Sequence, residues 1–233
     1  MSSRDLILGR VRAALGESAV GESAAGEVPP APVDIPRDYR REFPPPDLDR
    51  LVDRLVDYKA TVHRINAEKS GTSGADNAAV AAAIRGAIGR ILGSGTVVVP
   101  PGLAADWLPP EVEALVDDGL SAERIAAADG VVTAAAVAIA ETGTIVLDGS
   151  PDQGRRIISL LPDLHICVLR PEQVVASVPE GVARLDPRRP LTWISGPSAT
   201  SDIELNRVEG VHGPRNLHVI LLGGTDAGSQ AAT

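Results

Sequence analysis

The chain is 233 residues long, enough for one well-buried domain with an appendage and short for two full domains. Only one Phe, two Tyr and two Trp occur, so Val, Ile, Leu and Ala must build the interior, which suits a parallel sheet covered on both faces. A formal charge of −9 argues against nucleic acid, and the single Cys167 excludes an intrachain disulfide, a thiolate zinc site and a cysteine-held iron–sulfur cluster.

Residues 2–15 place Leu6, Ile7, Val11, Ala14 and Leu15 at helical spacing behind Ser2 or Ser3 as cap. Residues 16–46 then turn to Gly, Ser, Ala and Pro, ending in PPP, the composition of a linker or extended arm. The expected organisation is a helix and linker over 1–46, an α/β domain over 47–224 and a disordered tail over 225–233. No long apolar run marks a signal or a membrane span, so a cytoplasmic protein is expected.

Leu48, Leu51, Val52, Leu55, Val56 and Val62 predict a second helix over Asp47–Ile65. Asp76 is a cap for a third over Asn77–Leu92, with Val80, Ile84, Ile88 and Ile91 in its stripe. GSGTVVVPPG reads as a short buried strand between two turns. A helix near Glu111–Asp118 leads to the strand GVVTAAA, then to ETGTIVL, a helix over Gln153–Leu161 and the strand LHICVLR. A polar helix or turn at 171–178 precedes the strand LTWIS, a helix over Ser201–Val208 and the strand LHVILL. This alternation predicts an α/β fold: a mostly parallel sheet flanked by helices, with an N-terminal helical arm.

Two loops carry the chemistry. In AETGT, Glu141 precedes a turn of Thr142, Gly143 and Thr144 that launches a strand. A carboxylate there can serve as base, nucleophile or hydroxyl binder, or simply face solvent. In SGPSATSDIE, Gly196 turns the chain after a strand, and Ser201 with Glu204 has capping-box spacing for a helix start. Backbone N–H groups at that start, with hydroxyls of Ser195, Ser198, Thr200 and Ser201, can hold an anion or merely satisfy the turn; Asp202 is favoured there by the helix dipole alone. Arg155 and Arg156 can clamp a carboxylate or sit solvated on a first helical turn. His212, in the Gly-flanked EGVHGPR, is placed for catalysis or ligand contact. No spacing of the four His points to a metal, and no cofactor is expected. The two loops are expected to meet at the carboxyl ends of adjacent strands, the usual ligand edge of an open α/β sheet.

AIAETGTIVLDG (138–149), GRRIISLLPDLHICVL (154–169) and LTWISGPSATSDIELNRVEGVHGPRNLHVILL (191–222) together resemble the LUD-domain family, and within it the lactate utilisation protein C group. The resemblance implies a fold similar to the sugar-phosphate isomerase and CoA-transferase group. It also implies a place in bacterial oxidation of L-lactate to pyruvate, beside two iron–sulfur-type partner proteins that carry the clusters this chain cannot. Three readings follow. The first is a component of that system that binds a small organic anion or a partner through the two loops. The second is a CoA-transferase-like acyl-transfer enzyme using Glu141, and the third a non-catalytic scaffold or regulatory subunit. Whether the chain forms a homo-oligomer is left open by the residues.

Overall fold

The computed structural model describes residues 3–14, 43–65, 74–201, 207–209 and 213–223. The chain divides into two units, Met1–Arg41 and Glu42–Thr233. In the first, α1 (Ser3–Ala14) leaves Leu6, Ile7 and Val11 exposed.

The second unit opens with α2 (Leu48–Asp57), whose N-cap Asp47 accepts hydrogen bonds from the amides of Asp49 and Arg50. It stops at Tyr58 and Lys59, the latter at φ 72, and β1 (Thr61–Ile65) follows. The single helix expected over 47–65 is therefore a helix, a left-handed turn and a strand. Next come α3 (Gly74–Leu92), β2 (Gly95–Val99), β3 (Val112–Val116), α4 (Ala122–Ala126) and β4 (Gly130–Thr133). A strand thus replaces the helix expected near 111–118. Its Val112, Leu115 and Val116 satisfy a helical stripe on paper, but the segment pairs with β2 and forms the sheet edge.

The chain continues through β5 (Val137–Ile139), β6 (Thr144–Leu147), a short 3₁₀ turn at Arg156–Ser159 and β7 (Leu164–Leu169). That turn is all that forms of the helix expected over 153–161. After β7 a 3₁₀ turn at Pro171–Gln173 leads to β8 (Val174–Val175) and α5 (Val178–Ala183). The last elements are β9 (Thr192–Ile194), β10 (Ala199–Ser201), β11 (Arg207–Glu209) and β12 (Asn216–Leu222). β10 and β11 pair antiparallel, Thr200 opposite Val208, so both ends of the helix expected over Ser201–Val208 are strands, and residues 202–206 between them lie outside the described residues. Thr200 and Val208, opposite one another, are β-branched and suit a strand.

Six parallel strands form the main sheet in the order β1-β12-β7-β4-β2-β3. The α/β class read from the aliphatic runs holds. Ile166, Val168, Ile220 and Val132 point to the face covered by Ile84 and Ile88 of α3 and by Trp107. On the other face Cys167, Leu169, Val219 and Leu221 pack against Leu51 and Leu55 of α2 and Ile145 and Leu147 of β6. Ile158 of the 3₁₀ turn and Ile125 of α4 extend that layer over Val98 and Val131. The element no local pattern announced is a second sheet, β8-β5-β6-β9, with β6 antiparallel to both β5 and β9. It lies over the face that carries Cys167, and it positions both loops.

Candidate functional site

Because β6 and β9 run antiparallel, with Ile145 opposite Ile194, the amino end of β6 meets the carboxyl end of β9. The ETGT turn and the start of the SGPS loop are therefore adjacent, but not at the carboxyl ends of two parallel strands. Thr142 Oγ1 lies 2.8 Å from Thr144 Oγ1, which lies 2.9 Å from Ser195 Oγ, so three hydroxyls link the loops. Glu141 is exposed, and its amide donates to the carbonyl of Ala176.

Gly143 and Gly196 are explained by close approach to α2. Gly143 has φ 63, and a Cβ there would sit 2.6 Å from Cβ of Arg54. Gly196 has φ 86, and its Cβ would sit 2.6 Å from Cβ of Tyr58 and 2.8 Å from the Tyr58 carbonyl oxygen. Left-handed strain and overpacking each cost about 1–3 kcal/mol. Gly196→Ala is therefore expected to lower stability by roughly 2–5 kcal/mol. A urea melt of Gly196→Ala that matches wild type would refute this packing account.

Behind the β9 loop lies a cavity of about 320 Å³, lined among others by Arg156, Ser159, His165, Thr192, Ser195, Gly196 and Ser198. His165 and Leu217 are the second residues of β7 and β12, so this cavity opens at the amino ends of those strands. A second cavity of about 300 Å³ shares Arg156, Ser159 and Thr192 with it and reaches Pro101 and Asp117, just past the carboxyl ends of β2 and β3. The two cavities adjoin at these three residues, of which Ser159 and Thr192 are buried. The amide of Ser198 donates to Pro214 O at 2.7 Å, which ties the β9 loop to the entry of β12 and holds the walls in place.

The two arginines have different roles. Arg155 grips the buried Asp117 through both carboxylate oxygens (Nε to Oδ2 at 2.8 Å) and also donates to Leu120 O at 3.0 Å. These bonds hold the Asp117 carboxyl below the usual range. Arg156 is exposed, makes no ion pair among the described residues and lines both cavities. Of Asp148 and Gln153, also in that polar stretch, Asp148 pairs with Arg189 at 3.0 Å and Gln153 accepts from the Asp148 amide at 2.6 Å, so both serve the turn.

His165 is the residue that local sequence did not mark. It is 1 % exposed, shares a 2.8 Å hydrogen bond from Nε2 with Thr133 Oγ1, and burial pushes it down to about 4. It is neutral at physiological pH and lines the first cavity as a hydrogen-bonding group without charge. Its signal was the alternation in LHICVL, which puts His165 on the same side as Cys167 and Leu169. Cys167 itself is fully buried and pushed up to about 12, a packed thiol. On the opposite face His63 Nε2 and His218 Nδ1 are 3.0 Å apart in a stacked pair that spacing did not reveal.

Of the residues singled out from sequence, Gly196 and Ser198 line the first cavity, Thr142 and Thr144 reach it through Ser195, and Glu141 lines neither. Thr200 and Ser201 fall in β10. Asp202, Glu204, His212 and the tail over 225–233 lie outside the described residues. No described helix is long and apolar enough to cross a membrane.

The model of the LUD domain family matches residues 105–222, a span that includes Arg156, His165 and the β9 loop. A protein of Deinococcus radiodurans named Lactate utilization protein C is 47 % identical over 202 residues, covering 84 % of this chain and 86 % of that one. The Escherichia coli K12 protein named Uncharacterized protein YkgG is 37 % identical over 123 residues, 47 % of this chain and 52 % of that one. A crystal structure of a DUF162 family protein from Deinococcus radiodurans superposes with a TM-score of 0.60 at 40 % identity, covering 76 % of this chain and 96 % of that chain. With the parallel sheet, the family match and a relative alike over most of its length, the chain belongs to the LUD domain family.

Proposed function

We propose that this protein serves lactate utilisation and binds a small organic anion in the cleft between the 156–159 turn and the loop after β9. The observation that carries the reading is that Arg156, the neutral His165, Ser159, Ser195 and Ser198 all line one cavity. An arginine fork matches a carboxylate, and hydroxyls with a neutral imidazole suit the hydroxyl or carbonyl beside it. That donor set is what a 2-hydroxy or 2-oxo acid requires. The names of the relatives support the lactate context. The finer reading rests on the resemblance: L-lactate is oxidised to pyruvate with iron–sulfur-type partners handling the electrons, and this chain binds the acid or presents it to them. Thr142, Gly143 and Thr144 buttress the cleft from behind, through Ser195.

The test is growth on L-lactate as sole carbon source. A strain lacking this gene is complemented with wild type, Arg156→Ala or Glu141→Gln, each checked for equal soluble protein. Wild type and Glu141→Gln are expected to restore growth, and Arg156→Ala to fail or grow slowly. Full growth with Arg156→Ala would remove the cleft from the function. Loss of growth with Glu141→Gln would favour the acyl-transfer reading, and failure of wild type would end the lactate assignment.

A further inference from the structure

We infer that the anion site proposed above is built for a 2-oxo acid ahead of the matching 2-hydroxy acid, because Thr133 holds His165 as the tautomer that turns an Nδ1–H donor to the first cavity. This deepens the anion-site reading and rests on it. Thr133 is fully buried on β4, opposite Cys167 of β7. Among the described residues its hydroxyl meets two groups, His165 Nε2 at 2.8 Å and the Cys167 thiol. A hydroxyl has a single proton to give. An imidazole nitrogen is a good acceptor and a thiol sulfur a weak one, and the Cys167 S–H has its own acceptor in Ala134 O at 3.9 Å. The Thr133 proton therefore goes to Nε2, and the one proton of the neutral ring sits on Nδ1.

In the sheet β7 lies between β4 and β12. With Nε2 turned to Thr133 on β4, Nδ1 is on the ring's other side, toward β12, where Leu217 stands opposite His165 and lines the same cavity. His165 thus offers the cavity a donor and no lone pair. Arg156 likewise has donors only. Among the described residues no Asp or Glu lines this cavity, and the Ser159 and Ser195 hydroxyls are already bonded to Arg156 O and Thr144 Oγ1. An oxo oxygen only accepts, so these donors satisfy it. A 2-hydroxyl can accept the same bond, but its own proton then needs an acceptor, and the side chains here leave it only hydroxyl oxygens that are bonded elsewhere. Lactate and pyruvate are of one size and both enter. The oxo acid is the one that the site retains.

Two measurements on the full chain decide this. Long-range proton–nitrogen NMR on isotope-labelled protein at neutral pH reads the tautomer directly, with the His165 signals identified by their loss in His165→Gln. The Nδ1–H pattern is expected, and the Nε2–H pattern overturns the inference. Isothermal titration calorimetry then compares pyruvate with L-lactate. Pyruvate is expected to bind about fivefold tighter, the factor that one neutral hydrogen bond contributes. Thr133→Val keeps the shape of the side chain without the hydroxyl and is expected to bring the ratio to about one, whereas Thr133→Ser keeps the preference. Should Thr133→Val not fold, the wild-type spectra and titrations still decide. Equal affinities in wild type, or a preference that survives in folded Thr133→Val, overturn the inference and leave the anion site standing. If neither acid binds wild type, the anion-site reading fails and takes this inference with it.

Discussion

Arg156→Ala is expected to weaken binding of a small carboxylate by roughly 10- to 100-fold, since a hydrogen bond to a charged group contributes about 1.5–3 kcal/mol and each 1.4 kcal/mol is a factor of ten. The arginine is exposed and makes no ion pair among the described residues, so its loss falls on the ligand and hardly on the fold. Arg156→Lys keeps the charge but not the fork and should recover only part of the affinity. Ser195→Ala should cost less, about 1 kcal/mol, with Thr144→Val in the same direction, because Thr144 is the hydroxyl that orients Ser195.

The neighbouring arginine is the contrasting case. Arg155→Ala leaves the Asp117 carboxylate, whose side chain is fully buried, with only the backbone amides of Leu120 and Gly119 to hold it among the described residues. The expected effect is a loss of about 1–3 kcal/mol in stability. Asp117 is held low, so the stability it contributes is complete above its ordinary range and fades as pH falls through its folded value. Urea melts at neutral pH should rank Arg155→Ala below Arg156→Ala, and calorimetry with lactate should give Arg156→Ala the larger loss of affinity. The reverse order in both would mean that the two side chains have been assigned the wrong roles.

The main sheet was legible because TVVVP, HICVL and HVILL are unbroken aliphatic runs of strand length, and such runs belong to strands buried on both faces. What failed were segments where two periods overlap. Val62 continues the stripe of Leu48, Leu51 and Leu55, and the break before it is a lysine at φ 72, where a glycine or asparagine would have given warning. At Ser201 and Val208, the two ends of an expected helix, the chain instead pairs β10 with β11. Both loops were recognisable from their Thr, Ser and Gly content. That they touch depends on a strand pairing between residues 51 apart in sequence, Thr144 and Ser195, and local pattern does not encode that. His165 was missed for the same reason: the hydroxyl that holds it is on Thr133, 32 residues earlier and one strand over.

The largest pH effect on stability is expected from His165. In the unfolded chain it titrates near its ordinary 6.5, whereas in the fold it is held at about 4 by burial. The unfolded state therefore gains a proton below pH 6.5 that the folded state refuses. The stability tied to this residue is complete above 6.5 and falls with pH until about 4, at about 1.4 kcal/mol per pH unit, or about 3 kcal/mol across the window. His218 is lowered in the same direction by burial and by His63, and His63 by burial and by Arg90, so the wild-type slope exceeds one proton. Their half-exposed pair adds less, since solvent screens it. His165→Gln keeps a partner for Thr133 and removes one titrating group. Urea unfolding at pH 7, 6, 5 and 4.5 should show the variant less stable at pH 7 but with a shallower slope, the two curves converging toward acid. Parallel curves would mean that His165 is not the neutral, buried residue described here. Saturating carboxylate should flatten the wild-type curve as well, because a negative charge in the cleft favours protonated His165 and raises its folded value toward that of the free chain.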